Sequence, residues 1–357
     1  MELKNKKLVK ADSSCLSFMG RIDFEDADKP IFYWAASNVR MRFKGTSVGA
    51  VIKDHRFYGI VSFGFIIDGK ECKVDCPEED KEIYLPLAEN LEDTEHEIIL
   101  FKRQDATHYF EFLGFAINEN GKPLEAVKLP TRKIECFGDS VSAGAVCEAI
   151  DFVGSLDPEN HDSVYDNAWH SYSNITARNL GAQIHDTAQG GIAIFDGTGY
   201  YHAPDYIGME TAYDKLCYFP EGKGMTSWDF TKYIPDVVLF AVGQNDNHNE
   251  GHEDFDISDP DYRAKWKNRY KEIILSLRKK YPDAVFILLL TVLCHDPEWD
   301  KVVDEIAREL DDEKISHFMF KRTGKATPGH PRLPEQYEMA EELTAYISNM
   351  GDKIWHN

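Results

Sequence analysis

Long apolar runs are missing from this 357-residue chain. None approaches the ~18 residues that carry a helix across a bilayer, so no membrane-spanning helix is expected. Basic charge is in short supply: 40 Lys and Arg stand against 62 Asp and Glu, a formal net charge of −22. A polyanion is repelled at long range by such a balance, which argues against nucleic acid or an anionic membrane as partner. A neutral ligand such as a glycan or a small ester fits better. The N-terminus, MELKNKKLVKADSSCLSF, has basic residues but lacks the apolar stretch of about 7–15 residues that makes a signal peptide, so a cytoplasmic location is the expectation. Seven cysteines, odd in number and irregular in spacing, form no disulfide framework and are read as reduced thiols. Cys72 and Cys76 make a Cys-x3-Cys pair with no second pair to complete a zinc site. Internal repeats and low-complexity segments are also absent.

What is present is an ordinary globular composition, 43% hydrophobic and 29% charged, in a chain longer than one core usually serves. Two domains follow, and the two halves differ in pattern. Residues 1–128 contain short alternating or aromatic segments: VRMRF (39–43), SVGAVI (47–52), FYGIVSFGFIID (57–68), EIYLPL (82–87), HEIILFKR (96–103) and YFEFLGFAI (109–117). Gly, Asn and Asp punctuate them, which predicts an all-β, jelly-roll-like sandwich. FYW (32–34) reads as part of its core. The segment 118–133, with a glycine, two prolines and several charges, reads as the linker. From 129 to 357 strands alternate with helices. A short strand running into a turn is predicted at 133–140 and further strands at 182–189, 235–243, 284–292 and 316–320, with helices over 169–180, 260–281, 299–310 and 333–350. Such alternation argues for a five-stranded parallel sheet covered on both faces, with its site beyond the carboxyl ends of the strands.

Chemistry-bearing residues collect at those predicted strand ends. Ser140 follows the first strand in Gly-Asp-Ser, Gly190 and Gly191 follow the second, and Asn245 follows the third in Gly-Gln-Asn-Asp. His330 precedes the last helix in Pro-Gly-His-Pro. A hydroxyl nucleophile needs a base, and a tetrahedral intermediate needs N–H donors aimed at its oxyanion. Ser140 with His330 supplies the first pair. The Ser140 N–H, a Gly190 or Gly191 N–H and the Asn245 amide supply candidates for the second. Asp139 reads as turn support and Asp246 as structural, with Asp246 held in reserve as an acid for His330. The run HNEGHEDFD (248–256) has metal-like spacing at His248 and His252 but reads as a solvated loop. His295–Asp296 either lines the pocket or sits in a surface loop, the latter favoured.

Gly-Asp-Ser, a glycine, Gly-x-Asn-Asp and a C-terminal His-Pro, in that order over 133–350, resemble the four blocks of the SGNH/GDSL hydrolases. Residues 20–52 resemble the jelly-roll domain that precedes the SGNH domain in carbohydrate esterase family two. The resemblance implies a flavodoxin-like three-layer esterase domain (129–357) behind a β-sandwich (1–128). It implies a cofactor-independent, metal-independent acetylesterase acting on acetylated mannan, glucomannan or xylan chains through a Ser140–His330 acyl-enzyme route. A general ester hydrolase or lipase on longer acyl chains, and an inactive carbohydrate-binding protein, are the alternatives.

Two departures stand out. SGNH enzymes usually carry Asp three residues before the histidine; here Thr327 stands there, and no acid lies between 321 and 334. Some members of family two use a Ser-His dyad oriented by a backbone carbonyl, so the resemblance implies the carbonyl of Thr327 or Pro328 as the imidazole's partner. Gly329 occupies a position where that family often has a substrate-contacting aromatic. Trp169 and Trp299, with Tyr172 and the loop 192–207, are the candidates to replace it.

Overall fold

The computed structural model describes residues 3–203, 205–218, 224–247, 256–325 and 327–356. The chain divides into two compact units, Met1–Leu129 with Asp162–Val164, and Pro130–His161 with Tyr165–Asn357. The expected boundary at 128/129 falls beside this division, but a three-residue return into the first unit was not foreseen.

The first unit is all β. Its strands are β1 (Lys6–Lys10), β2 (Leu16–Met19), β3 (Ile22–Asp23), β4 (Ile31–Phe32), β5 (Asn38–Gly45), β6 (Val48–His55), β7 (Ser62–Ile67), β8 (Lys70–Asp75), β9 (Ile83–Ala88), β10 (Thr94–Lys102), β11 (Tyr109–Asn118) and β12 (Lys122–Pro123). One antiparallel sheet runs β3-β4-β11-β6-β9 with β1 on β11; the other runs β12-β5-β10-β7-β8 with β2 on β5. Strict alternation explains the faces. In β5, Val39, Met41 and Phe43 are fully buried while Lys44 between them and the turn is exposed. These side chains meet Phe110, Phe112, Phe115 and Ile117 of β11 in one core, where the Phe32 and Phe110 rings stack at 4.6 Å. The alternation in β11 changes phase at a bulge between Phe112 and Gly114, which keeps Phe112 and Phe115 both inside. Residues 57–61, expected as the start of a strand, lie outside β7.

The second unit carries β13 (Arg132–Gly138), β14 (Ala182–Ala188), a small ribbon of β15 (Lys215–Cys217) and β16 (Thr226–Ser227), then β17 (Val237–Ala241), β18 (Val285–Leu288) and β19 (Ile315–His317). Its helices are α1 (Tyr172–Asn179), α2 (Met209–Ala212), α3 (Pro260–Lys280), α4 (Pro297–Glu309) and α5 (Leu333–Asn349). The five main strands form a parallel sheet in the order β14-β13-β17-β18-β19, the three-layer α/β fold expected from the alternation. Strands β17 and β18 are buried almost throughout, as a sheet covered on both faces requires. Helix α1 is tied to α5 through Tyr172 N–H donating to Gln336 Oε1 at 2.8 Å. Helix α3 meets α4 through Trp266 against Trp299, centroids 5.1 Å apart, and through ion pairs of Arg263 and Lys267 with Glu305. Proline in the first turn and an aspartate N-cap begin both α3 and α4.

Candidate active site

Register places the site. Gly138 at the end of β13 pairs with Ala188 of β14 on one side and Ala241 of β17 on the other. The loops that leave these three strands therefore emerge side by side, roughly 5 Å apart from strand to strand. Ser140 lies two residues beyond that row, Gly190 two and Asn245 four.

The turn after β13 is a compact one. Asp139 is fully buried, its Oδ1 accepting the Val141 N–H at 3.0 Å, while its carbonyl accepts from Ala143 and that of Ser140 from Ala145. Burial pushes the Asp139 carboxyl up to about 6, against the pull of that N–H and of His330. The turn after β14 is bound to the turn after β17. Asn245 Nδ2 donates to the Ile192 carbonyl at 3.0 Å. Asp246 is fully buried and accepts the Ile194 N–H with both oxygens (3.1 and 3.0 Å) and the Trp266 indole N–H at 2.8 Å. Asp246 is thus no acid for His330; it staples the glycine turn to α3. Gly191 has φ 75°, a left-handed conformation that suits glycine, and its carbonyl accepts from Tyr200. Gln244 holds the same region from below by accepting Thr291 N–H and Oγ1–H at 3.1 and 2.6 Å.

His330 reaches this row from the other side. Its Nε2 lies 2.8 Å from Ser140 Oγ. Its Nδ1 lies 2.6 Å from Asp157 Oδ2, and its own backbone N–H donates to Asp157 Oδ1 at 2.9 Å. This corrects the expected dyad: the partner of the imidazole is a carboxylate, not the carbonyl of Thr327 or Pro328. The Thr327 carbonyl is already committed to the Cys294 N–H at 3.2 Å, within a parallel bridge between Leu293 and Thr327. Asp157 comes from a loop 173 residues earlier, just after a 3-10 turn at Ile150–Phe152. Fully buried Arg332 anchors it: one guanidinium N lies 2.8 Å from Asp157 Oδ1 and donates to the Leu156 carbonyl at 3.4 Å, and the other donates to the His330 carbonyl.

The charges set the proton positions. Burial raises the Asp157 pKa, but the imidazole, the His330 N–H and the Arg332 guanidinium outweigh it and hold the carboxyl well below the usual carboxylate range. An ionised carboxylate only accepts, so Nδ1 carries the hydrogen and Nε2 presents its lone pair to the Ser140 hydroxyl. Ser140, His330 and Asp157 thus form a continuous hydrogen-bonded chain.

Known proteins bear on this geometry. Residues 18–126 match the family described as "Carbohydrate esterase 2 N-terminal". A solved family-two carbohydrate esterase from Clostridium thermocellum, in complex with cellohexaose, is 30% identical, with a TM-score of 0.78 over 94% of this chain and 98% of that one. The chain belongs to carbohydrate esterase family two. Among curated relatives, "Cellulase/esterase CelE" of Acetivibrio thermocellus is 32% identical over 352 residues, 95% of this chain, which spans about 40% of that protein's length. "Acetylxylan esterase / glucomannan deacetylase" of Cellvibrio japonicus is 28% identical over 267 residues, 72% of this chain and 68% of that protein.

In this family-two chain three of the expected sugar platforms, Trp169, Trp299 and Tyr172, are buried. Trp169 is 8% exposed and lies against the Arg178 guanidinium at 4.5 Å; Trp299 is 2% exposed and packed on Trp266. Tyr172 is fully buried, its hydroxyl 3.0 Å from Ser142 Oγ. In the 192–207 loop, Ile192 and Ile194 are buried, while Tyr200 is 57% exposed. Of the pair His295–Asp296, Asp296 is exposed at the N-cap of α4, as the favoured surface loop has it, whereas His295 is buried, with Nε2 2.9 Å from Asp300 Oδ2 and Nδ1 2.7 Å from the Leu293 carbonyl. His248 and His252 lie outside the described residues, while Asp256 caps a turn through Ser258. Sequence reasoning missed Asp157 and Arg332. The one local hint was Arg332 itself, a basic residue next to the His-Pro block; a buried guanidinium requires an anion.

Proposed function

We propose that this protein is a serine carbohydrate O-acetylesterase that removes acetyl groups from plant-derived oligo- or polysaccharides of the mannan, glucomannan or xylan type. The observation that carries the reading is the unbroken Ser140–His330–Asp157 chain at 2.8 and 2.6 Å. The names and substrates of the relatives support the choice of a sugar ester.

In the proposed reaction Ser140 Oγ attacks the acetyl carbonyl as His330 Nε2 takes its proton. Asp157 stabilises the imidazolium that forms. The oxyanion of the tetrahedral intermediate is met by the Ser140 N–H, a glycine N–H from the 190–191 turn and the Asn245 Nδ2 hydrogen not spent on Ile192. The imidazolium then protonates the departing sugar hydroxyl. Water, activated by the same histidine, attacks the acetyl-serine and releases acetate. No step calls on a metal or an organic cofactor.

Incubation with acetylated manno- and xylo-oligosaccharides, followed by proton NMR of the acetyl region, tests the reading. Acetyl signals are expected to vanish with wild type and persist with Ser140→Ala; equal loss with both overturns it. A second reading has its own observation: Ile150, Phe152, Val153 and Leu156, on the loop leading into Asp157, are all apolar and exposed. Such a surface suits acyl chains longer than acetyl. A p-nitrophenyl ester series decides between the two, since a maximum at butyrate or beyond favours the longer chain.

A further inference from the structure

Gly329 stands directly before the proposed base, and its φ lies outside the left-handed region. Backbone conformation therefore does not demand glycine there; space does. A Cβ on Gly329 would fall 2.5 Å from Asp157 Oδ1, 2.8 Å from Asp157 N and 2.9 Å from the Ser155 carbonyl oxygen. Two of those three atoms are backbone, and the third is the carboxylate oxygen that receives both the His330 N–H and the Arg332 guanidinium. None of them is the far end of a flexible side chain.

The residues on either side of Gly329 hold the same segment. Thr327 Oγ1 donates to the Ser155 carbonyl at 3.3 Å. The His330 N–H and Arg332 take Asp157 Oδ1, and Arg332 also takes the Leu156 carbonyl. Gly329 is the gap in the middle of this row of contacts. We propose that Gly329 is a positioning residue: its bare Cα is the seat on which Ser155–Asp157 closes, and a side chain at 329 and an Asp157–His330 pair exclude one another. The proposal rests on the reading of Ser140, His330 and Asp157 as one relay and names what admits the acid to it.

The consequence is quantitative. A Cβ tolerates neighbours no nearer than about 3 Å, so even alanine forces the carboxylate to retreat by roughly half an ångström, and leucine by more. Asp157 Oδ1 and Oδ2 move together, so the retreat lengthens the 2.6 Å bond to Nδ1. The imidazole then loses the acceptor that fixes its tautomer. The position before the base also cannot present a ligand-contacting side chain while the acid is in place.

Four variants test this: Gly329→Ala, Gly329→Leu, Asp157→Asn and the double Gly329→Leu/Asp157→Asn, assayed with p-nitrophenyl acetate. Gly329→Leu is expected to lower kcat to within about threefold of Asp157→Asn while KM changes less than about twofold, with Gly329→Ala intermediate. The double variant is expected to be no slower than Asp157→Asn alone, because both changes remove one interaction. The second readout is the downfield proton resonance of His330 Nδ1–H, present in wild type and absent from Gly329→Leu and Asp157→Asn. Retention of that resonance in Gly329→Leu, or multiplicative losses in the double variant, overturns the proposal. If circular dichroism shows that Gly329→Leu has lost its fold, the resonance of Gly329→Ala decides: weakened or lost supports the seat, unchanged refutes it. The resonance reports on the seat independently of turnover. A failure of the esterase reading, seen as full activity in Ser140→Ala, is therefore a separate result.

Discussion

Ser140, Gly190, Gly191 and Asn245 stand just beyond strand ends locked in register, whereas Asp157 and His330 stand on irregular backbone gathered around one buried guanidinium. In the first region the row Ala188, Gly138, Ala241 is set by parallel pairing along whole strands, so no single side chain holds the geometry. In the second, three residues between 327 and 332 grip three residues between 155 and 157. Chemistry borne by strand ends inherits the stability of the sheet. Chemistry borne by loops depends on a few polar contacts, each of which can be removed singly.

The sharpest test of that contrast starts with the serine. Ser140→Ala is expected to lower kcat/KM by about 10⁴–10⁶, yet to leave the thermal midpoint almost unchanged, because the sheet rather than the hydroxyl holds the turn. Calorimetry beside the esterase assay checks both halves of the statement. A large fall in stability would show that the strand-end row is not self-supporting.

Asp157→Asn comes next, with an expected loss of about 10²–10⁴ in kcat. An amide nitrogen facing Nδ1 donates rather than accepts, which places the imidazole hydrogen on Nε2, where it opposes the Ser140 hydroxyl. Burst kinetics with p-nitrophenyl acetate separate acylation from deacylation, and both are expected to slow. A variant as fast as wild type would return the enzyme to a dyad.

Arg332→Met is smaller in rate, about 10–10² in kcat, but larger in stability than Ser140→Ala. Charge-assisted hydrogen bonds contribute about 1.5–3 kcal/mol each, and Arg332 makes one to Asp157 while also tying down the His330 and Leu156 carbonyls. A loss of about 2–3 kcal/mol in urea unfolding is expected. Stability equal to wild type would mean that the loop holds Asp157 without the staple.

The same contrast explains which parts were legible in the sequence. Ser140, the glycine pair and Asn245 were readable because each follows a run of strand-forming residues, and local pattern reports on local structure. The jelly-roll-like sandwich was readable from alternation in segments such as 39–43, while β1, β2 and β8 were not, being polar or short edges without a clear period. Asp157 was illegible because loop closure over 173 residues leaves no spacing to find. Trp169 and Trp299 misled because an aromatic residue at the start of a predicted helix is equally at home in a core, and packing against Arg178 and Trp266 respectively buries them. Thr327 in place of an acid and Gly329 in place of an aromatic were two separate oddities. Both now follow from one loop that brings the acid and occupies the space.

The least effect belongs to Asp246, and it appears in pH dependence rather than in rate. Burial raises this carboxyl to about 7, with Asp139 and Glu210 adding to the rise and the Trp266 and Ile194 N–H groups opposing it. The folded state therefore keeps a proton that the unfolded chain releases near 3.9. Between those values the native state binds more protons than the unfolded state, so stability falls as pH rises from about 4 to about 7 and levels off beyond. Asp139, raised to about 6, adds a decline over the lower part of the same window. Asn at 246 keeps the Oδ1 position that accepts both the Trp266 and Ile194 N–H groups but cannot titrate. Asp246→Asn is thus expected to lower kcat no more than about fivefold, with loss of much of the decline in urea midpoint between pH 4.5 and 7.5. The glycine turn would stay in place because Asn245 still binds Ile192 and the strands beneath it remain in register. A midpoint that declines as steeply in the variant as in wild type would remove Asp246 as the titrating group and leave the other carboxyls raised by burial, Asp54, Asp139 and Asp186, to account for the slope.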